Sequence, residues 1–274
     1  MSWLARVLAA RQFPTDRLAR HLEIASDVVL EARVPRAHEL AERLRVAGRR
    51  VLAGVAPDRP AASSPVRNAY LAALLRADPA SARRVIEAAV DTGMTFRELY
   101  LSVFQEALYE VGRLWQNGEA TVAQEHLATA TTQTLMSRLS MGPASVAGTG
   151  LRALTTGTQD ELHSLGARFL ADFLEADGWT VIDLGAGSPT EDIIRLVKEV
   201  KPTVVCLSTT LTTNLIHAKD TVAALRELAD PPLIAVGGHA YGASETRAAT
   251  IGADLWAADA DQFARALRDH FPRS

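Results

Sequence analysis

The chain has little cysteine, little net charge and no long apolar run, and each shortage excludes a class of protein. Its 274 residues include one cysteine, Cys206, which rules out an internal disulfide and a cysteine-rich zinc site. The net charge of -3 and the pI near 6.2 argue against broad nucleic-acid binding. No apolar run reaches the length of a membrane span, and the N-terminal residues make a poor secretion signal. We therefore expect a cytoplasmic protein that does not contact membranes.

The composition supports a large buried core, because 48% of the residues are hydrophobic and 22% are charged. Two stretches rich in proline, alanine, serine and glycine, at 56–65 and 143–149, have the composition of linkers. They divide the chain into three regions. We predict a helical extension at 1–56, a helical bundle at 66–142 and an α/β domain at 150–274.

The first two regions show helical periodicity. In the bundle, Thr95 followed by Glu98 is a capping-box pattern that opens a long helix running to Trp115. Asn117-Gly118 then forms a turn, and a last helix spans about 121–139.

The third region alternates short apolar runs with helical stretches. The predicted strands are 151–156, 181–184, 204–207, 233–236 and 253–256. This alternation indicates a doubly wound, parallel, five-stranded Rossmann-like sheet. The runs are apolar throughout, as expected of strands that are covered on both faces.

Three polar or glycine-rich segments follow three of these strands. Glu161-Leu162-His163-Ser164-Leu165-Gly166 follows the first, Ser208-Thr209-Thr210 the third and Gly237-Gly238 the fourth. Because the carboxyl ends of parallel strands meet at one edge of the sheet, the three segments should converge there. Each segment alone is ordinary, since a lone histidine in such a loop is more often a surface residue. Their joint spacing favours a ligand site.

Together the segments resemble the cobalamin-binding motif, Asp-x-His-x-x-Gly, then Ser-x-Leu or Ser-x-Thr, then Gly-Gly. The resemblance implies that His163 is the lower axial ligand of cobalt and that Glu161 fixes its orientation. Glutamate is one methylene longer than the usual aspartate, so this hydrogen bond could run through water or be rearranged. The other residues that the resemblance assigns to the corrinoid and its nucleotide tail are Leu162, Ser164, Gly166, Gly187, Ser208, Thr210, Gly237 and Gly238.

A second pattern lies in the bundle, where Trp115 is followed by nine residues and then by Glu125-His126. It resembles the helical cap of light-sensing cobalamin regulators of the CarH and LitR type, in which these residues line the adenosyl pocket above the corrin. The resemblance implies an adenosylcobalamin light sensor and not an enzyme. Photolysis of the Co–C bond would change domain packing or oligomeric state and signal to a protein partner. A homo-oligomer is expected.

Two departures from those regulators matter. No MerR-type DNA-binding domain fits in residues 1–56, so direct DNA binding is not expected. Gln116 stands where some of the regulators have a histidine that captures cobalt after photolysis. The N-terminal helices could instead form a dimer or partner surface. They could also hold biliverdin as a second chromophore, as in the free-standing photocobilins, with Arg33 and Arg36 on its propionates.

Other interpretations of the same residues remain open. The first alternative is a corrinoid methyl-carrier protein of a methyltransferase system, which shares the bundle-plus-sheet architecture and would bind methylcobalamin. A passive cobalamin carrier, or an antirepressor that holds a transcription factor, is a further alternative. Taken alone, Trp115 is better explained as a core residue and Glu125-His126 as a solvated helix face.

Overall fold

The computed structural model describes residues 2–52, 64–139, 148–242 and 248–271, and the chain divides into two compact units, Met1–Leu135 and Met136–Ser274. Most of each predicted linker, 56–63 and 143–147, lies outside the described residues. The division into three regions with those boundaries stays a prediction.

The first unit is helical. Its helices are α1 (Ser2–Ala10), α2 (Thr15–Glu31), α3 (Ala37–Leu52), α4 (Pro65–Leu75), α5 (Pro79–Asp91), α6 (Phe96–Glu98), α7 (Glu106–Gln116) and α8 (Val122–Leu139), the last of which runs into the second unit. Helices α1 to α3 share a small core that includes Ala5, Leu22 and Val51. Among the helices of the described ranges, none is both long and apolar enough to cross a bilayer.

A π-helical segment, Leu99–Gln105, joins α6 to α7. The predicted capping box is confirmed at the start of α6, since the Thr95 and Glu98 side chains each accept a hydrogen bond from the other's backbone N–H. The π turns were not predicted. Apolar residues recur every four positions here, and in an α-helix such a row rotates by about 40° at each step. A π turn contains more residues than an α turn, which counteracts the drift of this row around the helix. Val103 and Phe104 therefore stay in the core.

The second unit contains the predicted parallel sheet, whose fold class is confirmed. Its strands are β1 (Arg152–Gly157), β2 (Thr180–Asp183), β3 (Val204–Ser208), β4 (Leu233–Gly237) and β5 (Leu255–Ala257), in the order β2-β1-β3-β4-β5. The helices are α9 (Leu165–Ala176), α10 (Thr190–Val200), α11 (Leu215–Arg226) and α12 (Ala260–His270), with short 3-10 turns at Thr212–Asn214 and His239–Tyr241. This strand order is that of doubly wound folds with a ligand crevice at the carboxyl edge.

The two faces of the sheet differ in side-chain size. One face carries Leu154, Val205 and Ile234, which form a core with α10 and α11. The opposite face, toward α9 and α12, carries rows of small residues that the strand register aligns. One row contains Thr155, Cys206 and Ala235, and the row nearer the carboxyl edge contains Gly157, Ser208 and Gly237. The backbone of the sheet can therefore be approached closely on this face.

Candidate functional site

His163 lies in the loop between β1 and α9, at the carboxyl edge of the sheet. Its side chain is half exposed, and its Nδ1 contacts the Glu161 carboxylate directly. The backbone N–H of His163 donates to the same oxygen, Oε1, at 3.2 Å. Because Nδ1 is held by Glu161, a metal bound by this imidazole would have to be bound through Nε2.

The Glu161 side chain is fully buried, and its second oxygen faces the loop that follows β3. The donors to Oε2 are the backbone N–H of Thr210 (2.8 Å), the backbone N–H of Leu211 (3.1 Å) and the side-chain amide of Asn214 (3.3 Å). The extra methylene of glutamate therefore spans two loops. It orients the imidazole and also joins the carboxyl ends of β1 and β3.

The Glu161 carboxyl is ionised at neutral pH. Burial by itself would raise its pKa, but hydrogen bonds from His163 and from the backbone N–H groups of Leu211 and Thr210 outweigh burial and lower the pKa to about 2. An ionised acceptor at Nδ1 keeps the proton of a neutral imidazole on that nitrogen. The lone pair of a metal-binding histidine then lies on Nε2.

Gly166 and Gly187 are positions of close backbone approach. A β-carbon at Gly166, in the first turn of α9, would lie 2.7 Å from Ser208 Oγ. At Gly187, in the loop after β2, it would lie 1.9 Å from the Thr158 carbonyl oxygen. The Gly187 N–H also donates to the Glu161 carbonyl at 2.7 Å. Gly187 thus fastens the histidine loop, and its predicted contact with the nucleotide tail stays a prediction.

Position 238 requires glycine for two reasons, its backbone conformation and the lack of space for a β-carbon. Its φ is +105°, and a β-carbon there would lie 2.4 Å from the Thr209 carbonyl oxygen. The Thr209 N–H donates to the Gly237 carbonyl at 2.9 Å, so β3 and β4 remain paired to their last residues. Thr209 is buried, whereas Thr210 contributes its backbone N–H to Glu161. A contact between the Thr210 hydroxyl and a ligand stays a prediction.

Leu162 and Ser164 flank the histidine. The Leu162 side chain is 84% exposed beside the imidazole, and Leu211 on the neighbouring loop is also exposed. Exposed apolar side chains beside a histidine, which is a common metal ligand, are typical of a surface that a flat apolar ligand covers. Ser164 precedes α9, and its side chain makes no capping hydrogen bond.

The sequence did not single out Asn214, which is buried and donates to Glu161 and to the Asp160 carbonyl, each at 3.3 Å. An asparagine just before a helix is usually a helix cap, so the sequence pattern does not distinguish Asn214 from an ordinary capping residue. The contributions of the Leu211 N–H and the Thr158 carbonyl were missed because backbone groups leave no mark in a sequence.

The three residues predicted in the helical unit have local contacts there. The guanidinium carbon of Arg11, at the end of α1, lies 4.8 Å from the centroid of the Trp115 ring. Glu125 accepts a hydrogen bond from the Thr129 hydroxyl at 3.2 Å. His126 is exposed, with Nε2 3.6 Å from a Glu125 oxygen. The predicted contacts of these three residues with a ligand stay a prediction.

Two family models match the chain, and both are described as B12 binding domain. One covers residues 151–268 and the other covers residues 66–140. The first match includes the sheet, the histidine loop and the pair Gly237-Gly238 at the end of β4. The chain is therefore a cobalamin-binding protein.

Curated relatives support the same class. Trimethylamine corrinoid protein 1 of Methanosarcina acetivorans is 27% identical over 196 residues, which cover 70% of this chain and 90% of that protein. Dimethylamine corrinoid protein of Methanosarcina barkeri is 28% identical over 157 residues, covering 56% and 73%. The structure of the Methanosarcina barkeri monomethylamine corrinoid protein shares the fold, with a TM-score of 0.66, 20% identity, and coverage of 75% of this chain and 98% of that one.

The prediction of an adenosylcobalamin light sensor is wrong. The relatives bear the names of methylamine corrinoid proteins, which favours the alternative of a methyl carrier. The light-sensor interpretation depended on Trp115, Glu125 and His126. A tryptophan followed by a Glu-His pair on the next helix is not specific enough to identify a light sensor.

We expect the substitution Glu161→Gln to weaken cobalamin binding about 10- to 100-fold. Glutamine has nearly the same size as glutamate, but its NH2 group would occupy a place where a carboxylate oxygen now accepts hydrogen bonds. On that side of the side chain, one hydrogen-bond donor would face another. Absorbance titration of the purified protein with hydroxocobalamin measures the change. Glu175→Gln, an exposed position on α9, is the matched control and should bind as the wild type does. Equal affinity of the two variants would contradict the assigned role of Glu161.

We expect Gly238→Ala to destabilise the apo-protein by more than about 2 kcal/mol, since its β-carbon would meet backbone atoms in a strained conformation. Gly237→Ala is the matched control. Its β-carbon would lie an ordinary 3.5 Å from the Ala257 carbonyl oxygen, so its effect should stay within about 1 kcal/mol. Urea unfolding followed by circular dichroism measures both. Similar midpoints for the two variants would show that the close approach at Gly238 is unimportant.

Proposed function

We propose that this chain is a corrinoid methyl-carrier protein that serves a methyltransferase partner and is not itself the enzyme. The observation that carries the proposal is the half-exposed imidazole of His163, held through Nδ1 by a buried, ionised Glu161 at the ligand edge of the sheet. The methylamine corrinoid proteins among the relatives supply the class of chemistry. When bound, a corrinoid would supply a cobalt centre able to accept and release a methyl group.

The residues of the site suit a corrinoid. His163 would provide the lower axial nitrogen, and Glu161 would keep that nitrogen basic and aimed out of the loop. Because Glu161 is held by three donors from the β3 loop, the imidazole is oriented before any ligand arrives. Such preorganisation reduces the entropy lost on binding.

The small-residue face of the sheet suits the nucleotide tail of the corrinoid. Gly237 has no side chain to fill this face, and the Ser208 hydroxyl lies close to the backbone of Gly166. We propose that this face, rather than the face filled by Val205 and Ile234, receives the tail.

We propose methyl, rather than adenosyl, as the upper ligand of the corrinoid. Trp115, Glu125 and His126 remain candidates for contacts on that side, without a role in light sensing. Biliverdin forms no part of the proposal, because Arg36, one of the two arginines assigned to it, already pairs with Glu39 at 2.6 Å. A homo-oligomer and a cytoplasmic location both stay predictions.

The test compares methylcobalamin and adenosylcobalamin binding in the dark by wild-type protein and by His163→Ala. A methyl carrier should bind methylcobalamin at least as tightly as adenosylcobalamin, and the variant should lose about tenfold or more in affinity for both, since it lacks the axial nitrogen. Equilibrium dialysis with absorbance detection gives the constants. A preference for adenosylcobalamin of tenfold or more would contradict the proposal.

A second arm tests the partner class. The reduced, corrinoid-loaded protein is mixed with a methylamine and a methylamine:corrinoid methyltransferase, and the methylcobalamin absorption band is followed. Methylation of the wild type, together with its loss in His163→Ala, would support service to a methyltransferase. The Asp192→Asn variant, altered at an exposed residue of α10, should be methylated as the wild type is.

A further inference from the structure

Asp160, the residue before Glu161, has a left-handed backbone conformation with φ of +62°. Side chains with a β-carbon disfavour this region, although aspartate tolerates it better than most. The turn sends neighbouring side chains in opposite directions. Asp160 is mostly exposed, whereas Glu161 is buried. A strained residue at the base of a ligand loop calls for a contact that maintains it.

That contact is made by α11. Asp160 Oδ2 lies 3.2 Å from His217 Nε2, and the Asp160 carbonyl accepts a hydrogen bond from the Asn214 amide at 3.3 Å. Asn214 and His217 are three residues apart at the start of α11, on one side of the helix. The first turn of α11 therefore holds the histidine loop at two points. Asn214 forms the buried inner contact, and His217 forms the outer one.

The other side of the loop is held by backbone groups. The Glu161 N–H donates to the Thr158 carbonyl at 2.9 Å, and the Gly187 N–H donates to the Glu161 carbonyl at 2.7 Å. On the α11 side, the outer contact depends on side chains alone. The segment that carries His163 is therefore held by backbone contacts on one side, and on the other by the buried Asn214 contact and the outer contact between the Asp160 and His217 side chains.

We propose that Asp160 and His217 are a positioning pair that holds the histidine loop against α11, so that His163 stays aimed at cobalt. The inference rests on the proposed function, in which His163 is the axial ligand. In this role the two residues are positioning residues and take no part in ligation or chemistry. Their effect reaches the metal through the backbone of Glu161 and His163.

A solvent-exposed contact of this kind adds little to global stability, and 69% of the Asp160 side chain and 30% of the His217 side chain are exposed. The test therefore needs a readout that a merely structural contact would not change. For the methylcobalamin-loaded protein, that readout is the long-wavelength absorption band, which moves to shorter wavelength when the axial nitrogen leaves cobalt. The ratio of the two forms gives the histidine-on to histidine-off equilibrium. Thermal unfolding of the apo-protein is measured in parallel.

The variants separate strain from contact. His217→Ala removes the pair without changing the sequence of the loop, and Asp160→Gly removes the pair while relieving the strain of the left-handed backbone conformation. Each should lower the histidine-on to histidine-off ratio about two- to fivefold. Asp160→Gly should nevertheless match or exceed the wild-type melting temperature of the apo-protein. The double variant should lower the ratio no further than either single variant, because both remove one contact.

Asp220→Asn, an exposed change on the same helix, is the matched control and should leave the ratio unchanged. A wild-type ratio in both His217→Ala and Asp160→Gly, or additive effects in the double variant, would overturn the positioning pair. The wild type is also compared with His163→Ala. Identical spectra for those two proteins would instead overturn the axial role of His163 in the proposed function, so the two failures can be told apart.

Discussion

The site depends on one buried charge. The Glu161 carboxylate accepts hydrogen bonds from the histidine loop through Oε1 and from the β3 loop through Oε2. An unpaired buried carboxylate would be costly, so the fold must bring all of these donors to it. This requirement couples the tautomer of His163 to the relative position of two strands. The imidazole is therefore oriented by the sheet itself and does not depend on its own loop alone.

The glycines serve the same arrangement by allowing loops to approach closely. Gly187 lets the β2 loop reach the histidine loop, and Gly238 lets the β4 loop reach Thr209. Since the loops after β1, β2, β3 and β4 are in contact, the carboxyl edge forms a connected surface. Small side chains, among them Cys206 and Ala235, line the adjoining sheet face and are buried. An edge of this kind can accept a large cofactor while the imidazole of His163 stays fixed.

The sequence predicted the sheet and the meeting of the His163, Ser208 and Gly238 segments at one edge, because apolar strands and the loops that follow them obey general rules of parallel sheets. It could not predict the network around Glu161, since backbone donors and Asn214 carry no recognisable pattern. Nor did it predict the π turns, which arise from packing along a whole helix. The functional class was wrong where it depended on three residues of the helical unit. The coarser class, a cobalamin-binding protein, was predicted correctly, because the spacing between three distant segments left few alternatives.

The central claim is that the imidazole of His163, oriented by Glu161, is the axial ligand of a bound corrinoid. Electron paramagnetic resonance of the cob(II)alamin-loaded protein tests it most directly, because the axial nitrogen splits the cobalt lines. In protein grown with nitrogen-15 histidine, the nitrogen triplets should become doublets, and His163→Ala should abolish the histidine-derived splitting. Triplets that persist in the labelled protein would mean that the corrinoid's own base, and not a histidine of this chain, binds cobalt.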